Sequence, residues 1–179
     1  LNRCLWMVKA LIEFRNFNGA MECLSAFHSS PVYRLKSTWN LLPASSWAIY
    51  DSLEKLMSPD ANFKTYRSEY DRSVPPYTPY LGTHLSDLLF LDEKLPRFIE
   101  GTTLINYAKM EKMAQFIQTL ELSQQMPYSF TPVPLIASYI KDYVTLSEKD
   151  AYNRSLQVEA RKQKARPNST AFTRQTVES

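Results

Sequence analysis

The sequence predicts an all-α fold, an irregular multi-helix domain of about eight or nine helices. Apolar residues recur every three or four positions through most of the 179 residues, the spacing of helices that bury one side. Alternation typical of a strand is short wherever it occurs, and the Asn-Gly pair lies between two helical patterns. Eleven prolines against three glycines make the breaks between these patterns rigid. With 44% hydrophobic and 22% charged residues, the composition is typical of one globular domain.

Most of the predicted helices begin or end at a recognisable signal. Residues 16–19, Asn-Phe-Asn-Gly, are typical of a turn, and Ser30 followed by Pro31 is typical of a helix N-cap and first turn. Prolines in residues 73–80 predict an extended connection, and Ser147 predicts a weak capping box. Helices are therefore predicted at residues 1–16, 20–28, 31–42, from a cap at Ser45 or Ser46 to residue 57, 61–72, about ten residues after Gly82, 104–125, 135–144 and 147–162.

Charge and composition exclude several kinds of site. Five basic residues and one acid fall in residues 160–179, so the rest of the chain is nearly neutral and does not predict a nucleic-acid footprint. Two Cys and two His are too few for a disulfide framework or a metal site, and Cys4 and Cys23 are expected to be small buried residues. No apolar run approaches the ~20 residues of a membrane span. The polar tail at residues 163–179 is expected to be disordered and basic.

The segment at residues 82–95, GTHLSDLLFLDEKL, carries apolar side chains around nearly the whole circumference of its helix. A surface helix normally keeps a polar face, so this helix is either buried on all sides or exposed to a partner. Pro96 and Gly101 then separate it from the long helix at residues 104–125. Two helices joined by a short connection form an antiparallel hairpin, which is the predicted arrangement here.

Six stretches of the chain, in order, resemble the catalytic domain of guanine-nucleotide exchange factors for Ras-family GTPases, the RasGEF domain. The stretch NFNGAMECLSAFHSSPVYRLKSTW at residues 16–39 is similar to a family block that begins N-F-N and ends R-L-x-x-T-W. The stretch PPYTPYLGTHLSDLLFLDE at residues 75–93 resembles the block P-P-x-x-P-x-x-G-x-x-L-x-D-L-x-F-x-x-E. The other matching stretches are SPDANFKTYR at 58–67, LINYAKMEKMA at 104–114, QQMPYSF at 124–130 and YNRSLQVEAR at 152–161.

The resemblance implies an all-helical domain with a protruding helical hairpin, which pries the switch 1 region of a GTPase away from its nucleotide. Residues 82–93 and 104–125 match the two arms of that hairpin. Leu89 matches the family's wedge leucine and Glu93 its acidic residue four positions later, a spacing that puts both on one helix face. Ser86 joins that face. No covalent step, no cofactor and no metal site are implied.

Four further positions match GTPase-binding residues of the family, and each has a plain structural alternative. Asn18 matches a residue used near switch 2 and the hairpin base, and it is equally well explained as a turn-forming Asn. Phe63 matches an aromatic residue that packs on switch 2, and Tyr80 matches one at the hairpin base; internal packing explains both equally well. Lys112, on the second arm, can meet an acidic GTPase residue, although a solvated lysine is the simpler role.

The implied partner is a Ras-family small GTPase of the Ras, Rap or Ral type, without nucleic acid and with membrane contact only through the lipidated GTPase. A cytoplasmic protein, recruited to the membrane-facing cytosol, is expected. The matching blocks correspond to the C-terminal two-thirds of the family domain. Residues 1–162 are therefore expected to be a partial domain that lacks its N-terminal helices and the exchanger-motif domain that usually precedes them.

Departures from the family pattern leave a second function open. Lys94 and Leu95 stand where members often carry Gly and Asn, and Ala160 stands in place of a Pro. Leu95 and the missing N-terminal part of the domain favour a catalytically degenerate scaffold that binds a partner without exchange, whereas Leu89 and Glu93 favour an active exchange factor. A conventional enzyme is not expected, because no His, Cys or carboxylate pair forms a credible catalytic set.

Overall fold

The computed structural model describes residues 1–161, and the regular secondary structure of this part of the chain is entirely helical. The predicted all-α class is confirmed. The tail at residues 163–179, for which disorder was expected, lies outside the described residues. The helices are α1 (Asn2–Glu13), α2 (Phe17–His28), α3 (Ser30–Tyr33), α4 (Lys36–Asn40), α5 (Ala44–Leu56), α6 (Asp60–Asp71), α7 (Leu81–Lys94), α8 (Tyr107–Gln124), α9 (Pro134–Asp142) and α10 (Glu148–Val158).

The core lies where α1, α2, α5 and α6 meet, and it is rich in aromatic rings. Phe17 of α2 packs edge-to-face on Tyr66 of α6, with ring centroids 5.2 Å apart. Such aromatic pairs add about 0.5–1.5 kcal/mol beyond the burial of their area. The buried apolar residues are Leu5, Val8, Phe17, Ala20, Leu24, Phe27, Trp39, Tyr50, Leu53, Met57, Tyr66, Tyr70 and Tyr77.

The junction between α1 and α2 corrects the turn predicted at residues 16–19. Helix α1 ends with Arg15 in the left-handed region (φ 54°), and the N–H groups of Arg15 and Asn16 donate to carbonyls in the last turn of α1, at 2.9 and 2.8 Å. This is a Schellman arrangement without glycine. The Asn16 side chain then caps α2 by accepting from the Gly19 N–H at 2.9 Å. Asn18 therefore lies in the first turn of a helix rather than in a loop.

The single helix predicted at residues 31–42 is two short helices, α3 and α4. The chain breaks between them because a distant carboxylate caps α4. Glu159 accepts from the backbone N–H groups of Ser37 at 3.2 Å and Thr38 at 2.6 Å. Arg34 donates to the backbone carbonyl of Glu159 at 2.7 Å and so keeps that carboxylate in place. These contacts attach α10 to the α3–α4 region.

Two predicted helix caps are also wrong. Ser30 is the first residue of α3, whose N-cap is Ser29. Helix α5 begins directly after Pro43, so neither predicted serine caps it. Ser46 is instead buried, and its hydroxyl donates to the side-chain oxygen of Asn2. A buried hydroxyl needs such a partner, and this one joins α5 to α1.

The cysteines differ from the expectation that both are buried. Cys4 lies on the outer side of α1 and is exposed, whereas Cys23 is half-buried. Both are free thiols. Burial raises the pKa of the Cys23 thiol above its usual value, so this sulfur is a poor nucleophile at neutral pH.

The connection from α6 to α7 is extended, as predicted. The Phe17 N–H donates to the Thr78 carbonyl and the Thr78 N–H donates to the Arg15 carbonyl, both at 2.9 Å, so the connection runs along the start of α2. Gly82, predicted to precede the next helix, lies in the first turn of α7 instead. A Cβ at this position would come within 2.4 Å of the Tyr80 ring, so glycine lets that ring lie over the helix start.

Helices α8 and α10 each begin at a residue whose side chain caps the helix. Asn106 caps α8, and the helix therefore begins at Tyr107, three residues after the start predicted at residue 104. The predicted cap of α10 is confirmed, because the Ser147 hydroxyl accepts from the Asp150 N–H at 3.1 Å. Among the described helices, none combines the length and the apolar character needed to cross a membrane.

Candidate functional site

Helix α7 is attached on one side and exposed on the other. Leu85, Leu89 and Phe90 are 62%, 60% and 64% exposed, whereas Thr83 and His84 in the first turn are buried. Leu88 and Leu91 are half-buried. Of the two alternatives open for this apolar helix, burial on all sides is therefore wrong for the described part of the chain. A surface that displays several large apolar side chains together is typical of a protein-binding site.

Ser86, Leu89 and Glu93 lie on the exposed side of α7, at positions separated by three and four residues. The Ser86 hydroxyl donates to the Gly82 carbonyl at 2.8 Å, one turn earlier. Within residues 1–161, no hydrogen bond or ion pair holds the Glu93 carboxylate.

Helices α7 and α8 contact each other along antiparallel directions. Lys109, at the start of α8, is only 4% exposed, and its Nζ lies 2.6 Å from Oδ1 of Asp92, near the end of α7. The same ammonium donates to the Asp92 carbonyl at 3.0 Å. At the opposite end, Leu81 of α7 and Leu120 of α8 line one groove. That this pair projects from the body stays a prediction.

The connection between α7 and α8, residues 95–106, is a loop held by hydrogen bonds. The Ile99 N–H donates to the Leu104 carbonyl and the Asn106 N–H donates to the Arg97 carbonyl, each at 2.9 Å. The Asn106 side chain also donates to the Pro96 carbonyl at 3.1 Å while it caps α8. These bonds hold the end of α7 and the start of α8 together.

The backbone at the start of α6, where Phe63 lies, has an unusual conformation. Ala61, Asn62 and Phe63 all have left-handed φ angles, 49°, 59° and 57°. Each non-glycine residue in this region costs about 1–3 kcal/mol, so other contacts must hold the segment. The Phe63 ring packs against Tyr80, with centroids 5.6 Å apart, and the Tyr80 N–H donates to the hydroxyl of Tyr66 at 2.9 Å.

Arg67 joins the α6 start to α7. Its guanidinium contacts the Asp87 carboxylate through two hydrogen bonds, of 2.7 and 3.0 Å, and its Nε donates to the Asn62 carbonyl at 2.8 Å. Both side chains of the ion pair are largely buried. Paired, two-point contacts of this kind are among the stronger side-chain hydrogen bonds.

His84 occupies a buried position beside this ion pair. It is 6% exposed, its ring lies 5.2 Å from that of Tyr70, and neither ring nitrogen has a hydrogen-bond partner among residues 1–161. Burial lowers the pKa of His84 below its usual value; the Asp87 carboxylate opposes this shift and the Arg67 charge adds to it. The imidazole is therefore neutral at physiological pH.

The remaining predicted site residues are more scattered. Asn18 is half-buried on α2, where its amide donates to Glu22 of the same helix at 2.7 Å. Lys112 is exposed on α8. The structure thus brings Phe63 and Tyr80 into contact, while Asn18 and Lys112 take no part in that contact. No cluster of three or more potential metal ligands occurs in the described part of the chain.

Sequence reasoning missed the two ion pairs that hold α7. Arg67 and Asp87 are 20 residues apart, and Lys109 and Asp92 are 17 apart. Neither spacing corresponds to one helix face, so no pattern within a single element points to them. The matched block at residues 75–93 contains both aspartates, and the acids on the otherwise apolar helix were the one available signal.

The fold and this surface define an all-helical domain with an exposed helix that is apolar along much of its length and acidic near its end. A sequence profile described as the RasGEF domain matches residues 1–111. Ras guanine nucleotide exchange factor V of Dictyostelium discoideum is 38% identical over 155 residues, 87% of this chain and 8% of that protein. Ras-specific guanine nucleotide-releasing factor 2 of Danio rerio is 36% identical over 147 residues, 82% of this chain and 12% of that protein.

The chain therefore belongs to the RasGEF domain family, and the resemblance found in the sequence is confirmed. It spans only about a tenth of the length of the relatives that it matches. These relatives are named as guanine nucleotide exchange or releasing factors for Ras.

Proposed function

We propose that this chain is part of a guanine-nucleotide exchange factor for a Ras-family small GTPase, and that α7 and α8 act as the hairpin that displaces switch 1 and releases GDP. The observation that carries the proposal is the exposure of Leu89 and Glu93, one turn apart on α7, in a member of the RasGEF domain family. Residues 1–162 are the C-terminal two-thirds of the domain in this proposal.

Leu89 acts as an apolar wedge. A GTPase holds Mg²⁺ through hard oxygen ligands and water, and the metal keeps the nucleotide phosphates in place. A leucine side chain placed beside the metal position supplies no ligand and excludes water. Because Leu89 is 60% exposed, it can enter such a position without leaving a cavity in its own domain.

The negative charge of the Glu93 carboxylate takes the place of the charge of the nucleotide phosphates. A carboxylate near the phosphate position repels the nucleotide, and it can accept hydrogen bonds from the lysine and hydroxyl groups of the phosphate-binding loop. Those groups would otherwise be left unpaired when GDP leaves. The absence of any intramolecular partner for Glu93 within residues 1–161 supports this role.

Exchange of this kind needs no covalent step, because it depends on differential binding. The factor speeds release only as far as it binds the nucleotide-free GTPase more tightly than the loaded form. A thousandfold acceleration corresponds to about 4 kcal/mol of such preference in the transition state. Other residues contribute to binding of the GTPase whether or not it holds nucleotide. Phe63 and Tyr80 contact switch 2 in this proposal, and neighbouring surfaces of the GTPase meet Asn18, Ser86 and Lys112.

The test is the release of fluorescent GDP from purified Ras, Rap and Ral GTPases, each mixed with this chain and with a longer chain that includes upstream sequence. Acceleration of release from at least one GTPase, lost after removal of residues 81–106, is expected. Binding without acceleration, with the same affinity for loaded and nucleotide-free GTPase, would contradict exchange.

A scaffold that binds a GTPase without exchange is the alternative. Leu95 is half-buried directly after α7, and Lys94 lies over the Phe90 ring at 5.4 Å, at the end of the helix where the family often carries Gly and Asn. These bulkier residues change the surface beside Glu93. The affinity comparison between loaded and nucleotide-free GTPase separates the two functions.

A further inference from the structure

Arg67 is the residue through which the start of α6 and the middle of α7 contact each other by polar bonds. On one side its Nε donates to the Asn62 carbonyl at 2.8 Å, and Nη2 lies 3.4 Å from Oδ1 of the same residue. On the other side Nη1 and Nη2 donate to the two carboxylate oxygens of Asp87, at 2.7 and 3.0 Å. One side chain therefore contacts both segments at once.

The two segments are the ones that present the proposed GTPase contacts. Asn62 is the middle residue of the left-handed run that ends at Phe63. Asp87 follows Ser86 and lies two residues before Leu89. The position of Arg67 therefore affects the proposed switch 2 contact and the proposed wedge together.

Other contacts do not fix this geometry equally well. Tyr70 packs on His84, so the aromatic contacts between α6 and α7 hold the first turn of α7. Lys109 holds the far end through Asp92. The Arg67–Asp87 pair lies between these points, and its largely buried side chains restrict the rotation of α7 about its own axis.

Only arginine provides this set of bonds. The guanidinium is planar and offers five N–H donors in a fixed fork, so it can bond one carboxylate at two points and a backbone carbonyl at a third. A lysine keeps the charge but has a single nitrogen at the end of a mobile chain. It cannot hold Asn62 and both oxygens of Asp87 in one orientation.

We propose that Arg67 is a positioning residue, which keeps the Phe63 segment and the exposed face of α7 in a fixed relative arrangement for simultaneous contact with the GTPase. This proposal rests on the proposed exchange function. Arg67 does not itself contact the GTPase. It acts by placing Leu89 and Glu93 relative to Phe63, and a displacement of about 1 Å in such an arrangement can cost roughly a hundredfold in rate.

The test compares Arg67→Lys and Asp87→Asn with Arg72→Lys as the matched control. Arg72 is an exposed arginine that follows α6 and pairs with Glu69 at 3.2 Å, away from α7. In a GDP-release assay, Arg67→Lys and Asp87→Asn are expected to lower kcat about 10- to 100-fold with little change in KM. Arg72→Lys is expected to behave as the unchanged chain.

A second measurement does not depend on activity. Hydrogen exchange of backbone amides is expected to become faster in residues 60–64 and in the middle of α7 in both test variants, with the helices of the core unchanged. A reversed pair, Arg67→Asp with Asp87→Arg, is expected to recover part of the lost protection.

Three results would overturn the proposal. The first is full kcat in Arg67→Lys. The second is a loss of protection throughout the core, which would make the pair a general stability element. The third is normal protection of both segments in Asp87→Asn. If the unchanged chain accelerates release from none of the GTPases, the proposed function fails, and the amide protection of the two segments still decides whether Arg67 couples them.

Discussion

Replacing Glu93 by alanine is expected to slow nucleotide release while leaving the chain as stable as before. Glu93 is exposed, and no hydrogen bond or ion pair holds its carboxylate within residues 1–161. The substitution therefore removes no bond to another residue of the described part of the chain, and it opens no cavity there. Surface substitutions of this type change the free energy of unfolding by about 0.5 kcal/mol or less.

The effect on exchange follows from the bond that Glu93 makes in the proposed complex. A hydrogen bond to a charged group contributes about 1.5–3 kcal/mol. If this contribution is felt wholly in the transition state for release, its loss slows exchange by about one to two decades. Leu89→Ala is expected to have a smaller effect than deletion of the α7–α8 pair, because neighbouring Leu85 and Phe90 remain exposed on the same side.

The assay is GDP release under single-turnover conditions, with thermal unfolding measured in parallel. Glu121→Ala on α8 is the matched control for Glu93, and Leu135→Ala on α9, where the leucine is 80% exposed, is the control for Leu89. Full exchange activity in both test variants would refute the wedge mechanism. A loss of activity that occurs only together with unfolding would make both residues structural and would favour the scaffold.

Three further predictions concern the residues that hold the site. Asp92→Ala is expected to lower the free energy of unfolding, measured in urea, by about 1–2 kcal/mol, because the buried Lys109 ammonium then keeps only a backbone carbonyl as its partner. Lys109→Met is expected to leave the free energy of unfolding nearly unchanged, because it removes the buried charge itself. Equal destabilisation by both variants would show that the pair itself stabilises the chain. Burial holds the pKa of His84 below its usual 6.5, so the unfolded chain takes up a proton on this imidazole at a higher pH than the folded chain does, and the free energy of unfolding falls as the pH drops below about 6.5. His84→Phe is expected to flatten that fall. An unchanged dependence of stability on pH in this variant would contradict the reasoning. Asn16→Ala removes the cap of α2 and is expected to lower the free energy of unfolding by about 1 kcal/mol, measured by thermal unfolding. Asn18→Ala is the control, and it is expected to lower stability less. A larger loss in Asn18→Ala than in Asn16→Ala would contradict the role of Asn16 as the cap.

Local signals in the sequence predict much of this structure. Helical periodicity gives the all-α class, and the hydroxyl of Ser147 caps the helix that the sequence assigns to it. The apolar run in α7 was open to two interpretations, because the sequence pattern shows which sides of a helix are apolar but not what packs against them. Only the packing of α6 and α8 against one side of α7 decides that Leu89 is exposed.

Contacts between distant residues account for what the sequence did not predict. The carboxylate of Glu159 caps α4 from a position 121 residues away from Thr38, and this contact divides a helix that periodicity alone makes continuous. At the end of α1, Arg15 takes the left-handed position that glycine normally fills, so the usual signal for a helix end is missing there. The turn was therefore predicted at residues 16–19, whereas the chain turns at Arg15.

Helix α7 keeps several large apolar side chains exposed although the helix is attached to its neighbours, and this supports its proposed role. Leu88 and Leu91 are half-buried, and Asp87 and Asp92 pair with cations of the neighbouring helices. Leu85, Leu89 and Phe90, in contrast, remain about 60% exposed. Full burial of such a side chain contributes about 1.5–3 kcal/mol, so covering the exposed parts of all three would contribute several kcal/mol to binding. Folding of the chain does not bury these side chains fully, so this free energy is gained only when a partner covers them. The ion pairs of Asp87 and Asp92 hold the helix in place during that contact.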